Sequence, residues 1–177
     1  MKNILIYGAS GHGKMIVDII LKNNKYTIKG FIDSYKPLKE DIYGYKVIGS
    51  LNELAYLIKV HNIYGIVIGI GDNSIRQRAY HKIAEIAPTL KFVSVIHPSA
   101  VLANDIVIPK GVVIMPNAVV NANAKVGEFC ILNTKSSLGH DSTMADFSSL
   151  ASGAIVSGNV KIGLCSAICL RASIIQN

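Results

Sequence analysis

No stretch of this 177-residue chain stays apolar for the roughly 20 residues that a membrane-spanning helix needs, so no membrane span is expected. Met1-Lys2-Asn3 leads straight into a short apolar run and a glycine turn. It lacks the h-region and cleavage site of a secretory leader, and the cytoplasm is the expected compartment. No block of five or six like charges occurs; the 18 basic and 11 acidic residues, net +7, are scattered as on a solvated surface. That pattern argues against a nucleic-acid partner and for attraction of small anions such as nucleotide diphosphates. Cysteine is scarce: Cys130, Cys165 and Cys169 make an odd count, which excludes a disulfide framework, and they read as small buried residues with no metal or redox role. Nothing points to disorder, since half of the residues are hydrophobic and a core is assured.

What the chain does have is a register. Every sixth residue from Ile96 to Ile174 is a large apolar one, through Leu102, Ile108, Ile114, Val120 and onward without interruption. The fourth place after each is mostly small, as in Ala118, Ala124, Cys130, Ser136 and Ser142, with Ile106, Val112 and Val160 as exceptions. A helix wants apolar residues every three to four positions and a lone strand every two, so a period of six fits neither. It fits a prism with three flat faces per coil, in which identical positions stack at the strand spacing of about 4.8 Å. Residues 96–177 are therefore expected to form a parallel β-helix of roughly four and a half coils.

Residues 1–95 lack this period. Ile4-Leu5-Ile6-Tyr7 reads as a strand, Gly8-Ala9-Ser10-Gly11-His12-Gly13 as a turn, and Met15, Ile16, Ile19 and Ile20 as one face of a helix. Further strands are expected at Tyr26–Ile32, closing on Asp33, at Tyr64–Ile70 and at Lys91–Val95. Helices are expected around Leu51–Ile58 and over Ser74–Ala87, with a loop across residues 34–46. Alternating strands and helices predict a small parallel α/β domain.

Two places carry candidate chemistry. The glycine turn opens a helix, where bare amides cradle phosphate, and Asp33 falls where a dinucleotide fold keeps its ribose acid. Gly71-Asp72-Asn73 ends another parallel strand and belongs on the same rim. The spacing G-x-x-G-x-G differs from the dinucleotide fingerprint, and a turn that merely packs helix on strand is the alternative. In the repeats, His140-Asp141 stands two and three places after the inward Leu138. A carboxylate beside an imidazole suits a general base; an exposed pair on a solvated corner is the alternative. His61, His81 and His97 suit surface or turn roles.

The Tyr-Gly-Ala-Ser-Gly-His-Gly turn, Ile70-Gly71-Asp72-Asn73-Ser74-Ile75-Arg76, Asn133-Thr134 ahead of His140, and Gly158-Asn159-Val160-Lys161-Ile162-Gly163 together resemble the bacterial sugar O- and N-acetyltransferases of the hexapeptide-repeat superfamily. The resemblance covers nearly the whole chain. It implies a Rossmann-like domain at 1–95 that holds a nucleotide sugar, and a left-handed parallel β-helix at 96–177 that trimerises and binds acetyl-CoA between subunits, without a metal. It further implies Ser10, Gly11 and His12 as the phosphate and sugar turn, Asp33 and Ser34 at the nucleoside end, and Gly71 in the second turn. His140 becomes the general base, Asp141 the acid that raises its basicity, and Gly158 the backbone donor to the thioester carbonyl.

On the coenzyme side the chain departs from the pattern. Ser149 stands where close relatives carry a second histidine, Cys169-Leu170-Arg171 replaces a Gly-Ile-Asn near the pantetheine, and relatives extend past Asn177. Ser149, Gly158 and Leu170 are the expected acetyl-CoA contacts. The leading expectation is N-acetylation of a UDP-4-amino sugar. The alternatives are sialic-acid-type O-acetylation, a nucleotide-sugar-binding protein without turnover, and an NAD-dependent oxidoreductase, for which a β-helix supplies no substrate domain.

Overall fold

A computed structural model describes residues 1–176, and its internal contacts divide the chain into two compact units, Met1–Val93 and Ser94–Asn177. The division falls just ahead of Ile96, the first aliphatic of the register.

The first unit is built on β1 (Lys2–Tyr7), α1 (Gly11–Asn23), β2 (Tyr26–Ile32), β3 (Asp41–Ile42), β4 (Tyr45–Gly49), α2 (Leu54–Val60), β5 (Ile63–Ile68), α3 (Asn73–Ile86) and β6 (Lys91–Phe92). Its sheet runs β3-β4-β2-β1-β5-β6, parallel except for the β3–β4 hairpin at one edge. Ile4, Leu5 and Ile6 are all fully buried, so β1 is covered on both faces, as parallel strands are. The hairpin corrects the loop expected across 34–46: Asp41 Oδ1 accepts the Gly44 amide at 2.9 Å, and this local bond sets the turn. Chain order places β2 on one side of β1 and β5 on the other, so their carboxyl ends open around a topological switch point, where ligands of such sheets bind.

The second unit stacks two-residue strands into three parallel sheets, each strand 18 residues from its neighbour. One face holds Val101–Leu102, Val119–Val120, Ser137–Leu138, Ile155–Val156 and Ser173–Ile174. A second holds Lys125–Val126, Thr143–Met144 and Lys161–Ile162, and the third runs from Val95–Ile96 to Ala167–Ile168. The second residue of each pair points inward: Ile114, Val120, Leu132, Leu138 and Leu150 are at most 1% exposed and form one core. Each such side chain contributes about 1.5–3 kcal/mol by burial. The stacked coils are a left-handed parallel β-helix.

The corners turn at the third place after each inward residue, one step before the small residue. Asn117, Asn123, Phe129, Lys135, Asp141, Phe147, Asn159, Cys165 and Arg171 all have φ between 54° and 59°, and Gly111 and Gly153 complete the series. Phe129 and Phe147, one coil apart, stack with centroids 4.9 Å apart and planes 3° from parallel. The Phe129 ring in turn covers Gly111, where any Cβ would strike it. This phase also corrects the reading of the cysteines. Cys130, at the fourth place, is buried; Cys165, at a corner, is half-buried, and Cys169, just after the inward Ile168, is exposed. His97, expected at the surface or in a turn, is buried at the start of the 97–100 turn, and its Nδ1 faces Ser99 Oγ at 2.7 Å.

Candidate functional site

The first unit carries a cleft of about 360 Å³ at the carboxyl ends of β1, β2 and β5. Tyr7, Gly8 and Ser10 enter from β1, Asp33, Ser34 and Tyr35 from β2, and Ile70 and Gly71 from β5. The remaining wall is one face of α3, on which Ile75, Arg78, Ala79 and Lys82 recur at helical spacing. Arg78 and Lys82 give that wall its cations, and Ser10 caps α1 without a side-chain cap bond. A helix N-terminus beside two cations is a seat for an anion.

The glycines of this turn do different work. A Cβ at Gly13 would collide with the Gly8 carbonyl and the Phe31 ring, and one on Gly8, at φ 107°, would meet the Gly69 carbonyl at 2.8 Å. Those two residues let the turn close on the sheet. Gly11 and Gly71 meet nothing within 4 Å, so nothing in the chain itself demands glycine there.

Asp33 ties the turn together. Its Oδ2 accepts the Ala9 amide at 2.8 Å, and its Oδ1 accepts those of Tyr35 and Lys36 at 2.8 and 3.1 Å. Beside it, Ser34 Oγ lies 3.4 Å from the Tyr7 hydroxyl.

Of the expected sugar turn, Ser10 lines the cleft, and Gly11 and His12 are not among its lining residues. His12 Nε2 is buried without a hydrogen-bond partner; burial, and then the charge of Arg76, push its pKa down to about 4. Arg76 is fully buried and donates to the carbonyls of Ile70 and Gly71 at 3.2 and 2.9 Å and to Asn73 Oδ1 at 2.7 Å. The guanidinium thereby turns the carbonyls of the Gly71 turn toward itself.

In the second unit, His140 and Asp141 sit on the edge between the Ser137–Leu138 and Thr143–Met144 strands, outside the prism. Their side chains are 59% and 42% exposed, and His140 Nδ1 lies 2.7 Å from Asp141 Oδ2. The other carboxylate oxygen accepts from Asn123 Nδ2 at 2.6 Å. These bonds, the one from His140 foremost, hold the Asp141 carboxyl below the ordinary carboxylate range. An ionised carboxylate only accepts, so the Nδ1 that faces it is the donor, and in the neutral ring Nε2 is the nitrogen with the lone pair. One coil on, Gly158 is buried under the imidazole, where a Cβ would fall 2.5 Å from Cε1 and 2.6 Å from Nε2.

The fold has counterparts among known proteins. Residues 3–83 match the PglD N-terminal domain. GDP-perosamine N-acetyltransferase of Escherichia coli O157:H7 is 26% identical over 164 residues, 89% of this chain and 71% of that protein. UDP-N-acetylbacillosamine N-acetyltransferase of Bacillus subtilis (strain 168) is 30% identical over 116 residues, and the match spans 65% of this chain and about half, 52%, of that one. The acetyltransferase domain of PglB from Neisseria gonorrhoeae FA1090, solved in complex with acetyl coenzyme A, superposes with a TM-score of 0.86 at 28% identity, over 97% of this chain and 81% of that one.

Along nearly its whole length the chain is similar to bacterial sugar N-acetyltransferases.

The structure gathers Ser10, Asp33, Ser34 and Gly71 in one cleft and His140, Asp141 and Gly158 on one edge. It does not gather Ser149, Gly158 and Leu170. Ser149 lies on the third face, and Leu170 at the edge between the third and first faces, 68% exposed. The sequence reading missed Arg78, Lys82 and Asn123. The first two were detectable as a four-residue step on α3. Asn123 was detectable as the residue 18 before Asp141, one full coil. Among the described residues no group of three or more His, Cys, Asp or Glu could hold a metal, and no helix is long and apolar enough to cross a membrane.

Proposed function

We propose that this protein transfers the acetyl group of acetyl-CoA to the amino group of a nucleotide-linked sugar, with His140 as general base. The observation that carries the reading is the imidazole of His140, outside the β-helix, with its Nδ1 2.7 Å from the Asp141 carboxylate, which leaves Nε2 as the basic nitrogen of the neutral ring. The acceptor amine attacks the thioester carbonyl carbon as Nε2 removes its proton. The tetrahedral intermediate then collapses with loss of the CoA thiolate, which takes the proton back from the imidazolium. Asp141 stabilises the imidazolium and fixes its tautomer, the role of the acid in hydrolase triads. The Gly158 amide is the remaining candidate donor to the developing oxyanion.

The first unit is the nucleotide-sugar domain in this reading. Its cleft supplies the open glycine at 71, Ser10 at the α1 N-terminus with the unobstructed Gly11 after it, and the Arg78 and Lys82 cations for a diphosphate, with Asp33 and Ser34 toward the nucleoside. The relatives act on GDP-perosamine and on a UDP-bacillosamine derivative by name, which supports an amino rather than a hydroxyl acceptor. We favour a UDP-linked 4-amino sugar. Because Ser149 and Leu170 lie away from the His140 edge within one copy, an acetyl-CoA that touches all of them needs a neighbouring copy. A homotrimer working in the cytoplasm fits that requirement.

The test is thiol release from acetyl-CoA with UDP- and GDP-linked 4-amino sugars and with sialic acid as acceptors. The wild type should turn over an amino-sugar nucleotide, and His140→Ala should lower the rate by about 10² or more. An unchanged rate in the variant would reject the base assignment. Calorimetry that finds nucleotide-sugar binding without acetyl-CoA binding would instead identify a binding protein.

A further inference from the structure

The corner that carries Asp141 repeats one residue type along the axis of the prism. Positions 105, 123, 141 and 159, each a coil of 18 residues apart, read Asp, Asn, Asp, Asn. Three of these side chains or backbones are joined. The Asn123 amide N–H donates to Asp105 Oδ2 at 2.6 Å, Asn123 Nδ2 donates to Asp141 Oδ1 at 2.6 Å, and Asp141 Oδ2 meets His140 Nδ1 at 2.7 Å. Asn123 and Asp141 both have left-handed backbones, φ 57° and 58°, so their side chains leave the corner in the same direction. At a coil spacing of about 4.8 Å, an asparagine's short side chain spans one step of the stack and no more. The carboxylate of Asp141 is thus held at both oxygens, by the base on one side and by the preceding coil on the other.

We propose that Asn123 is a positioning residue for acetyl transfer, acting through Asp141 to hold His140 with Nδ1 protonated and Nε2 turned out for the acceptor. The proposal rests on the acetyl-transfer reading of His140 and extends it to the previous coil. An exposed carboxylate free to rotate would give the imidazole a moving partner and let it exchange tautomers with solvent. A carboxylate pinned from behind by an amide offers one oxygen in one place. The Asn123 side chain is bonded to Asp141 and not to the imidazole, and the Asp105 carboxylate fixes its own backbone in turn.

The experiment compares wild type with Asn123→Gly and Asn123→Asp. Glycine keeps the left-handed backbone at no steric cost and deletes the donor. Aspartate keeps the shape and replaces the donor by an acceptor that repels Asp141. The first readout is the ¹⁵N spectrum of His140, which reports the tautomer without any acetyl transfer. Wild type should show Nδ1–H and an unprotonated Nε2, and both variants should show mixed tautomers. The second readout is kinetic: kcat should fall about tenfold or more with KM for both substrates unchanged, and Asn123→Asp should be the slower variant. Wild-type spectra and kcat in both variants would overturn the proposal. Should Asn123→Gly fail to fold, the isosteric Asn123→Asp decides alone. A wild type that transfers acetyl to no acceptor would defeat the acetyl-transfer reading instead, and with it the catalytic part of the proposal.

Discussion

The imidazole of His140 rests on the backbone of Gly158, the residue that follows it by one complete coil of the β-helix. The stack brings the two together, and the missing side chain at 158 leaves the ring its place. Gly139 needs to be glycine for a related reason, since a Cβ there would collide with the backbone of Ser157. His140 is therefore held from three directions: beneath by Gly158, at Nδ1 by Asp141, and along the backbone by the Asn159 amide, which donates to the His140 carbonyl at 3.0 Å.

Gly158→Ala should consequently cost activity while sparing the fold. The added methyl displaces the exposed ring and breaks its bond to Asp141, whereas the amide of residue 158 remains. A fall in kcat of about 10² with an unchanged melting temperature is expected from steady-state kinetics and circular dichroism. Retained activity would mean that the ring position does not matter.

Gly11→Ala and Gly71→Ala should separate binding from stability in the first unit. Neither new Cβ meets any atom of the chain, so neither should lower the melting temperature, and alanine in the first turn of α1 should raise it slightly. Both should weaken the nucleotide sugar, by tenfold or more if backbone approaches phosphate there (about 1.4 kcal/mol). Gly13→Ala, which drives a methyl into the Gly8 carbonyl, should instead prevent the unit from folding. Calorimetric titration beside thermal melts checks all three.

The low pKa of His12 gives stability a pH dependence of definite sign. Its folded value, about 4, lies below the 6.5 of the exposed side chain, so the unfolded chain binds the extra proton between those limits. The stability contributed by keeping His12 neutral is complete above about pH 6.5 and is lost as pH falls toward 4, on the order of 3 kcal/mol across the window. His12→Gln should flatten the melting temperature of the first unit between pH 4 and 6.5. A slope equal to that of the wild type would place the proton elsewhere.

Gly153→Ala tests the left-handed corners. At φ 70° the new Cβ would approach only the Arg171 side chain, at 3.4 Å, so the cost is one of backbone conformation. It should be about 1–2 kcal/mol, and Gly153→Asn should cost less, as measured by chemical denaturation.

Much of this was legible in the residues. The period of six from Ile96 to Ile174 sufficed for a three-faced prism with an aliphatic interior, because neither a helix nor a lone strand turns every sixth residue inward. Strand, glycine turn and helix at Ile4–Ile20 were equally plain, as was the exposed corner of His140 and Asp141. The β3–β4 hairpin was not legible, since Asp41-Ile42 is too short to show a period and is held by a turn bond. The corner phase was only partly so. Asn117, Asn123 and Asn159 are natural left-handed residues, but Phe129, Lys135 and Arg171 adopt the same φ only because the coil closes there.

The sequence by itself determined which side chains face inward, because hydrophobic spacing is a local property that any coil must obey. Tertiary structure alone decided what each outward residue meets. Asn123 reaches Asp141, His140 covers Gly158, and Arg76 gathers the carbonyls of the Gly71 turn, because folding brings residues separated in the chain within a few ångströms. Periodicity records the face a residue points to and carries no information about its neighbour on the next coil.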